Sequence, residues 1–179
     1  MKGIILIEGP DGSGKTTLAK RLAFDYNGII LHQTYRFKNK IPIYHGVILR
    51  KALKLSKEKL VILDRLHISE YIYGKVFRNE NRWPWMTDLF NILCKELNIP
   101  IIMCLPFSIQ QGLEWFEKAK NERPEMFKNI KEVIKEYIDY YDNNHKSITI
   151  FNKEDNDLYD FYYDCTKAIL EHKLNVSKY

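Results

Sequence analysis

The chain has 179 residues, 45% of them hydrophobic, which is enough to bury the core of one domain without disulfides or a structural metal. Its net charge of +5 is modest and does not by itself indicate a nucleic-acid-binding protein, because an anionic nucleotide substrate favours the same excess. The apolar run of residues 4–7 ends at Glu8 and is too short for a signal peptide or membrane span, so we expect a cytoplasmic protein without a membrane partner.

Three cysteines have no C-x-x-C spacing and lie in stretches typical of helix or strand. Cys94, Cys104 and Cys165 are therefore predicted to be buried, reduced thiols. Neither a zinc site nor a disulfide is predicted.

The first strong motif lies in residues 4–17, which read IILIEGPDGSGKTT. An apolar run typical of a strand leads into a loop that matches G-x-x-x-x-G-K-[ST], and a helical pattern follows. Backbone N–H groups at the start of that helix can hold phosphate oxygens, Lys15 adds a full positive charge, and Thr16 offers a hydroxyl to Mg²⁺. The predicted nucleotide-binding residues are Gly9, Asp11, Gly12, Ser13, Gly14, Lys15, Thr16 and Thr17.

A short second strand is expected at residues 28–32, after the first helix. The polar, basic stretch beyond it contains Arg36, a candidate to reach the crevice where open α/β sheets bind ligands. The alternative is a solvated loop. Pro42 is expected to begin the next helix, on which His45 and Arg50 are interpreted as surface residues.

The second strong motif is K-L-V-I-L-D-R, residues 59–65. A continuous apolar run that ends in an aspartate is typical of a buried parallel strand followed by a carboxylate that organises Mg²⁺. Asp64 is therefore predicted to bind the metal together with Thr16. The alternative is that Asp64 only caps the next helix.

These two motifs, E-G-P-D-G-S-G-K-T-T and D-R-L-H-I-S-E-Y-I-Y, resemble the corresponding stretches of thymidylate kinases. The resemblance implies that Asp11 faces the sugar of a nucleoside monophosphate and that Asp64 and Arg65 serve magnesium and phosphate. It also implies that Ser69 and Tyr73 belong to the monophosphate pocket.

The stretch S-E-x-x-Y-G-x-x-F-R, residues 69–78, is most similar to the phage-encoded branch of that family, and its Arg78 is a further candidate to bind the substrate. Gly74 stands where many thymidylate kinases have Gln, which leaves the choice of base open. Gly12 stands where other members carry Arg, and this resembles the type whose lid supplies the cations.

The second half of the chain is expected to supply that lid. Trp83 and Trp85, in a polar and aromatic loop, are interpreted as packing residues, and Pro84 is expected to begin a helix that runs to about residue 97. A buried strand at 99–106 and another helix lead to the basic stretch K-A-K-N-E-R-P, and a lid is predicted at about residues 118–125. Its catalytic candidates are Arg123, preferred for its planar fork and fixed charge, and Lys120. The alternative is an ordinary solvated connection between helices.

The remaining elements are a helix over about 126–141, a strand in S-I-T-I-F, and a terminal helix from about residue 157. After the strand, Asn152 begins N-K-x-D, the pattern that reads guanine in small GTPases. The D-x-x-G that those proteins place after their second motif is absent, because Asp64 is followed by Arg-Leu-His. Asn152 is therefore expected to lie near the base of the phosphate donor without selecting guanine.

Strands separated by helices predict an α/β fold, a three-layer sandwich of about five parallel strands with helices on both faces. We expect a single P-loop nucleoside monophosphate kinase domain over residues 1–179, with ATP as co-substrate, Mg²⁺, and small-molecule nucleotides as partners, not nucleic acid. The favoured acceptor is dTMP, with dUMP or a 5-substituted relative second. The alternatives are a deoxynucleoside kinase that uses Glu8 or Asp64 as general base, and a GTP-binding switch. The sequence leaves a homodimer open.

Overall fold

The structure is a computed structural model that describes residues 1–32, 40–78, 83–119, 129–153, 163–164, 166–168 and 170–172. The candidates Arg36, Lys120 and Arg123 lie outside these ranges, as does most of the predicted lid.

Five strands form the centre of the fold: β1 (Gly3–Glu8), β2 (Ile29–His32), β3 (Leu60–Asp64), β4 (Ile101–Cys104) and β5 (Ile148–Phe151). They form one sheet in the order β2-β3-β1-β4-β5, and every pairing is parallel. In the sheet, β3 lies on one side of β1 and β4 lies on the other, so the strand order reverses at β1. Ligands of open α/β sheets bind at such a reversal of strand order, outside the carboxyl ends of the strands.

The helices with described bounds are α1 (Lys15–Asp25), α2 (Ile41–Leu55), α3 (His67–Arg78), α4 (Pro84–Glu96), α5 (Ile109–Lys118) and α6 (Ile130–Asn144). A 3₁₀ turn (His145–Ser147) leads into β5, and the described residues between 163 and 172 are helical. Prolines lie in the first turn of α2 and α4, where their missing N–H costs no helical hydrogen bond. Ser108 caps α5 by accepting a hydrogen bond from the N–H of Gln111 at 3.1 Å.

Helices cover both faces of the sheet. Alternate residues of β1 point to opposite faces, so Ile4 and Leu6 join one apolar cluster while Ile5 and Ile7 join the other. The first cluster includes side chains of α2, α3, α4 and α6, and the second includes α1 and the helical residues near the end of the chain. The predicted α/β sandwich with five parallel strands is confirmed. None of the helices in the described ranges is long and apolar enough to cross a membrane.

Two predictions about single side chains are wrong. His45 was expected on the surface, but it lies on the buried face of α2, with its ring centre 5.6 Å from that of Phe90 on α4. Trp83 and Trp85 were both expected to pack, and Trp83 does pack against the first apolar cluster, but Trp85 lies on the outer side of α4 and is 55% exposed. Cys94 and Cys104 are buried free thiols, as predicted, and burial raises the pKa of each to about 12.

Candidate active site

The loop that is predicted to bind phosphate, residues 9–14 and named the phosphate-binding loop for that prediction, joins β1 to α1 at the carboxyl edge of the sheet. Gly9 and Gly12 adopt φ of 144° and 79°, which favour glycine. A Cβ at Gly9 would lie 2.3 Å from the carbonyl oxygen of Cys104, and one at Gly12 would lie 3.0 Å from the backbone of Phe116 on α5. The packing of the loop against β4 and α5 therefore requires glycine at these two positions. This requirement is separate from any need for a phosphate to approach the loop.

Lys15 begins α1 and is buried. Its ammonium donates a hydrogen bond to the backbone carbonyl of Pro10 in the same loop. The pKa of Lys15 is lowered to about 8, chiefly by burial and next by the charge of Arg65, while Asp11 and Asp64 act in the opposite direction. Its positive charge thus lies within the electrostatic reach of both predicted carboxylates.

Asp11, Arg65 and Tyr73 form a cluster beside this loop. The two carboxylate oxygens of Asp11 accept hydrogen bonds from the guanidinium of Arg65 and, at 2.7 Å, from the hydroxyl of Tyr73. The guanidinium carbon of Arg65 is 5.1 Å from the centre of the Tyr73 ring, within the range of a cation–π contact. Three residues that the thymidylate kinase resemblance assigned to the substrate are therefore brought together.

The backbone of Arg65 has an unusual conformation for a residue with a side chain, with φ of 70°. Its N–H donates to the carbonyl of Ile7 on β1 at 2.9 Å, which fixes it at the junction of β3 and α3. Burial tends to raise the pKa of Asp11, but the charges of Arg65 and Lys15 outweigh burial and leave that pKa below its ordinary value. Asp11 is thus an ionised carboxylate near neutral pH.

Asp64 ends β3 and has one carboxylate oxygen available for a ligand. Its Oδ2 lies 2.9 Å from Nδ1 of His32 at the end of β2, whereas its buried Oδ1 has no hydrogen-bond partner among the described residues. Thr16 is exposed at the start of α1. No group of three or more His, Cys, Asp or Glu side chains in the described ranges could hold a metal. One carboxylate and one hydroxyl fit Mg²⁺, which takes most of its ligands from water and phosphate.

Ser69 was expected in the monophosphate pocket, and its side chain is fully buried. Its hydroxyl donates to a carboxylate oxygen of Glu8 and forms a second hydrogen bond, 2.7 Å long, with the hydroxyl of Tyr137 on α6. Both bonds lie inside the protein. The role that the resemblance gave to Ser69 stays a prediction, and its observed contacts are with the last residue of β1 and with α6.

Glu8 was considered only as a general base, and the structure gives it other contacts. The side chain is completely buried, and its other carboxylate oxygen accepts the N–H of Leu66 at 2.7 Å. Burial raises its pKa, while the hydrogen bonds from Ser69 and Leu66 and the charge of Arg65 oppose the rise. Both oxygens therefore hold the backbone and side chains at the entry to α3.

Arg78, a predicted substrate residue, forms an ion pair with Glu70 on the same helix. The two residues are eight positions apart, and Gly74 lies midway between them on the same side of α3. Because Gly74 has no side chain, it does not obstruct the Arg78 side chain as it reaches back along the helix. The guanidinium also lies 3.4 Å from the backbone carbonyl of Glu70.

Asn152 and Lys153 follow β5 and have different surroundings. Asn152 is fully buried, and its amide donates to the carbonyl of Leu105 at 2.8 Å, so it joins the ends of β4 and β5. The ammonium of Lys153 donates to the carbonyl of Gly12 in the phosphate-binding loop and lies 4.9 Å from the centre of the Trp115 ring. Of these two residues, Lys153 is the one in contact with the loop.

Comparisons with known proteins identify the fold. Neither a scan against protein-family models nor a search of curated proteins gave a match. Among solved structures, the YorR protein from Bacillus subtilis in complex with phosphorylated GDP matches with a TM-score of 0.68 and 18% identity, over 94% of this chain and 97% of its own. The chain has the fold of the P-loop nucleotide kinases.

Two other structures with this P-loop kinase fold differ in the function that their names give. Deoxyadenosine kinase from M. mycoides with the products dCMP and dCDP matches with a TM-score of 0.61 and 17% identity, over 94% of this chain and 99% of its own. Thymidylate kinase from Candida albicans matches with a TM-score of 0.61 and 18% identity, over 97% of this chain and 93% of its own. At such identity the likeness shows the fold alone.

Sequence reasoning missed two residues of this candidate site, His32 beside Asp64 and Lys153 beside the loop of residues 9–14. His32 is the last residue of β2, and Lys153 comes two residues after the end of β5. Both therefore lie at the carboxyl edge of the sheet, where ligands of this fold class bind. That position is a signal in the sequence, because His32 is the polar residue that ends a predicted strand and Lys153 is the second polar residue after another.

Proposed function

We propose that the protein transfers the γ-phosphoryl group of ATP to a deoxynucleoside monophosphate and forms the diphosphate and ADP. The favoured acceptor is dTMP, and dUMP or a 5-substituted relative is second. We further propose that residues 1–179 act as one such domain on small-molecule nucleotides, with its greatest similarity to the phage-encoded branch of thymidylate kinases.

The observation that supports this proposal most is the cation held beside the phosphate-binding loop. Lys15 supplies one positive charge in the loop, and Arg65 supplies a second that is fixed by Asp11 and Tyr73. A monophosphate acceptor brings a dianion of its own, and a guanidinium fork is well suited to hold it. A nucleoside acceptor has no such charge and gives no reason for a second fixed cation.

Each group has a role in the proposed reaction. Backbone N–H groups of the loop and Lys15 would bind the phosphates of ATP, and Arg65 would hold the acceptor phosphate in line with the γ-phosphorus. Asp64 and Thr16 would hold Mg²⁺, which supplies positive charge to the phosphate oxygens when bound. The lid cations Arg123 and Lys120 would add charge at the equatorial oxygens and exclude water.

The closest rival is a deoxynucleoside kinase, which needs a general base for the 5′-hydroxyl. Glu8 does not suit that role, because it is completely buried and both of its oxygens accept hydrogen bonds from the start of α3. Asp64 has one oxygen, Oδ1, without a hydrogen-bond partner among the described residues, and this oxygen would serve as the general base. The same oxygen is the one that we propose to bind Mg²⁺. The GTP-switch alternative is disfavoured because the amide of Asn152 donates to Leu105 and because Asp64 at the end of β3 does not begin a D-x-x-G, being followed by Arg-Leu-His.

A side-by-side assay of acceptors tests the proposal. ADP formation is measured with ATP, Mg²⁺ and, in turn, thymidine, dTMP, dUMP, dCMP, dGMP and dAMP. We expect dTMP to give the highest kcat/KM and dUMP to follow. Thymidine as the fastest acceptor would replace the proposal with the nucleoside kinase, and a faster purine monophosphate would keep the reaction but change the substrate.

Replacement of Arg65 tests the observation on which the proposal rests. Arg65→Ala should lower kcat/KM for the monophosphate about a hundredfold, as expected when a fixed cation at a phosphate is lost. Arg65→Lys keeps the positive charge but loses the guanidinium group that can form two parallel hydrogen bonds. Its kcat/KM should lie between those of the wild-type chain and Arg65→Ala. An unchanged response to the monophosphate in Arg65→Ala would show that the acceptor phosphate is held elsewhere.

A further inference from the structure

A cavity between α3, α4 and α6 contains an excess of negative charge. Its volume is about 520 Å³, which is within the range of sites that hold small molecules. Four carboxylates line it, Asp88 on α4 and Glu136, Asp139 and Asp142 on α6, together with one lysine, Lys75 on α3. None of the described residues that we propose for phosphoryl transfer lines this acidic cavity, so it is separate from the phosphate site.

Two of the four carboxylates are paired within the protein and two are not. The ammonium of Lys75 donates to Glu136 at 2.6 Å, and that of Lys135 lies 4.0 Å from Asp139. Asp88 and Asp142 form no ion pair in the part of the chain that the structure describes. Because these two carboxylates belong to α4 and α6, they lie on different walls of the acidic cavity.

Lys75 shows that the acidic cavity stabilises an ammonium group. The pKa of Lys75 is raised chiefly by its hydrogen bond to Glu136, and the charge of Asp139 acts in the same direction, while burial opposes the rise. A second amine beside the remaining carboxylates would therefore keep its proton near neutral pH.

The other side chains of the acidic cavity are also suited to an amine. The rings of Tyr71 and Tyr140 line it with their centres 6.0 Å apart, and aromatic faces attract ammonium groups and pack against methylene groups.

Thr87 gives an independent indication of a ligand. It lines the acidic cavity and is only 6% exposed, yet its hydroxyl has no hydrogen-bond partner among the described residues. Buried hydroxyl groups normally have such a partner. The neighbouring Asn91 already donates to the hydroxyl of Tyr140 at 2.8 Å. An ammonium bound in the cavity would supply the partner that Thr87 lacks.

The chemistry of the lining selects one class of ligand. A metal ion does not fit, because no group of three or more His, Cys, Asp or Glu side chains in the described ranges could hold one. Two unpaired carboxylates on different walls match two ammonium groups joined by methylenes. We propose that the acidic cavity binds a small aliphatic diamine or polyamine, with one ammonium at Asp88 and Thr87 and another at Asp142.

Isothermal titration calorimetry of the full chain, without nucleotide or Mg²⁺, tests the proposal and does not depend on the proposed kinase activity. The probes are 1,4-diaminobutane and spermidine, and 1-aminobutane is the control ligand with a single charge. We expect one diamine per chain, binding that weakens as salt is added, and at least about tenfold weaker binding of 1-aminobutane. No binding of either probe at millimolar concentration, or equal affinity for the monoamine, would overturn the proposal.

Single charge removals test where the diamine binds. Asp88→Asn and Asp142→Asn should each weaken binding of 1,4-diaminobutane about fivefold, since each removes one ion pair. Asp164→Asn is the matched control, because Asp164 is exposed next to Tyr163, which packs on the opposite face of the sheet, and this variant should keep the wild-type affinity. Equal affinities in all three variants would show that the diamine binds outside the acidic cavity.

Replacement of Thr87 tests the unpartnered hydroxyl. Thr87→Val keeps the shape of the side chain and should weaken diamine binding about threefold. Urea unfolding should show no loss of stability, because the hydroxyl has no hydrogen bond to lose in the unliganded protein. Wild-type affinity in Thr87→Val would overturn the proposed position of the ammonium.

Discussion

At the scale of single residues, the site depends on a buried carboxyl group that contacts no solvent. Glu8 ends β1, and its carboxylate accepts hydrogen bonds from the N–H of Leu66 and the hydroxyl of Ser69. Arg65 immediately precedes Leu66 and has φ of 70°, a conformation that costs free energy and needs support from its surroundings. Glu8 is therefore suited to hold Arg65 in position without touching the substrate.

Substitution of Glu8 by Gln should show this positioning role. Gln keeps the shape but replaces one acceptor oxygen by an NH₂ donor, and a buried polar group left without its partner costs about 1 to 3 kcal/mol. We expect kcat/KM for the monophosphate to fall about tenfold or more in steady-state assays, with little change in KM for ATP.

Tyr137→Phe is the control, because it removes only the outer hydroxyl of the network and leaves both hydrogen bonds of Glu8 in place. Tyr137→Phe should lower kcat/KM for the monophosphate less than Glu8→Gln does. Equal losses for ATP and monophosphate in Glu8→Gln would indicate a general loss of structure instead of a displaced Arg65.

At the scale of secondary structure elements, the junction of α2, α3 and α4 contains two histidines that the protein keeps neutral. His45 and His67 are completely inaccessible, and both ring centres lie 5.6 Å from that of Phe90. Burial lowers the pKa of each to about 4, and His45 is lowered further by the charge of His67. An imidazolium at either position would therefore lie in an apolar contact between helices.

These histidines should make the fold sensitive to mild acid. Each pKa is near 6.5 in the unfolded chain and about 4 in the folded protein, so between these values the unfolded chain binds more protons. The contribution of each histidine to the free energy of unfolding should thus be fully present above pH 6.5. It should be lost as the pH is lowered towards 4, by up to about 3 kcal/mol per histidine.

Urea unfolding at several pH values between 4 and 7.5 measures this dependence. A variant with His45→Gln and His67→Gln has polar side chains that do not titrate there, and it should lose less stability on acidification, whatever its stability at neutral pH. The same acid dependence in the variant would assign the effect to other groups.

The elements also show how far sequence reasoning reached. All five strands and the helices that begin at Pro84 or near Pro42 were predictable, because continuous apolar runs and prolines are local signals. The burial of His45 was not predictable, because a polar residue on the buried face of a helix departs from the apolar periodicity that the prediction uses. Similarly, the contact of Ser69 depends on Tyr137, a partner that no motif names, and the motif that contains Glu70 and Arg78 does not indicate that these two residues pair.

The same distinction holds for the candidate site. The phosphate-binding loop and Asp64 were predictable, because the chemistry requires those residue types at fixed spacing. Lys153 reaches the loop only because β5 lies beside β4 in the sheet, and strand order is a property of the whole fold. His32 reaches Asp64 for the same reason, since β2 and β3 are neighbours with these two residues in register.

At the scale of the whole molecule, binding of nucleotide should stabilise the fold, because the proposed site joins several elements. The loop after β1 packs against the end of β4 and against α5, and Lys153 links it to the segment after β5. A ligand held by this loop binds the folded chain and not the unfolded one. At a hundred times its Kd, it should add about 2.7 kcal/mol to the free energy of unfolding.

Thermal unfolding with and without ATP and Mg²⁺ tests this coupling independently of turnover. A gain of about 2.7 kcal/mol corresponds to a rise in Tm of about 5–10 °C for a chain of this size. Lys15→Ala should lose most of the rise, and chelation of Mg²⁺ should reduce it in the wild-type chain. Lys20→Ala is the matched control, because Lys20 is exposed on the same helix and should keep the full rise. A rise in Lys15→Ala equal to that of the control would mean that ATP binds elsewhere, since the ammonium of Lys15 is held inside the phosphate-binding loop.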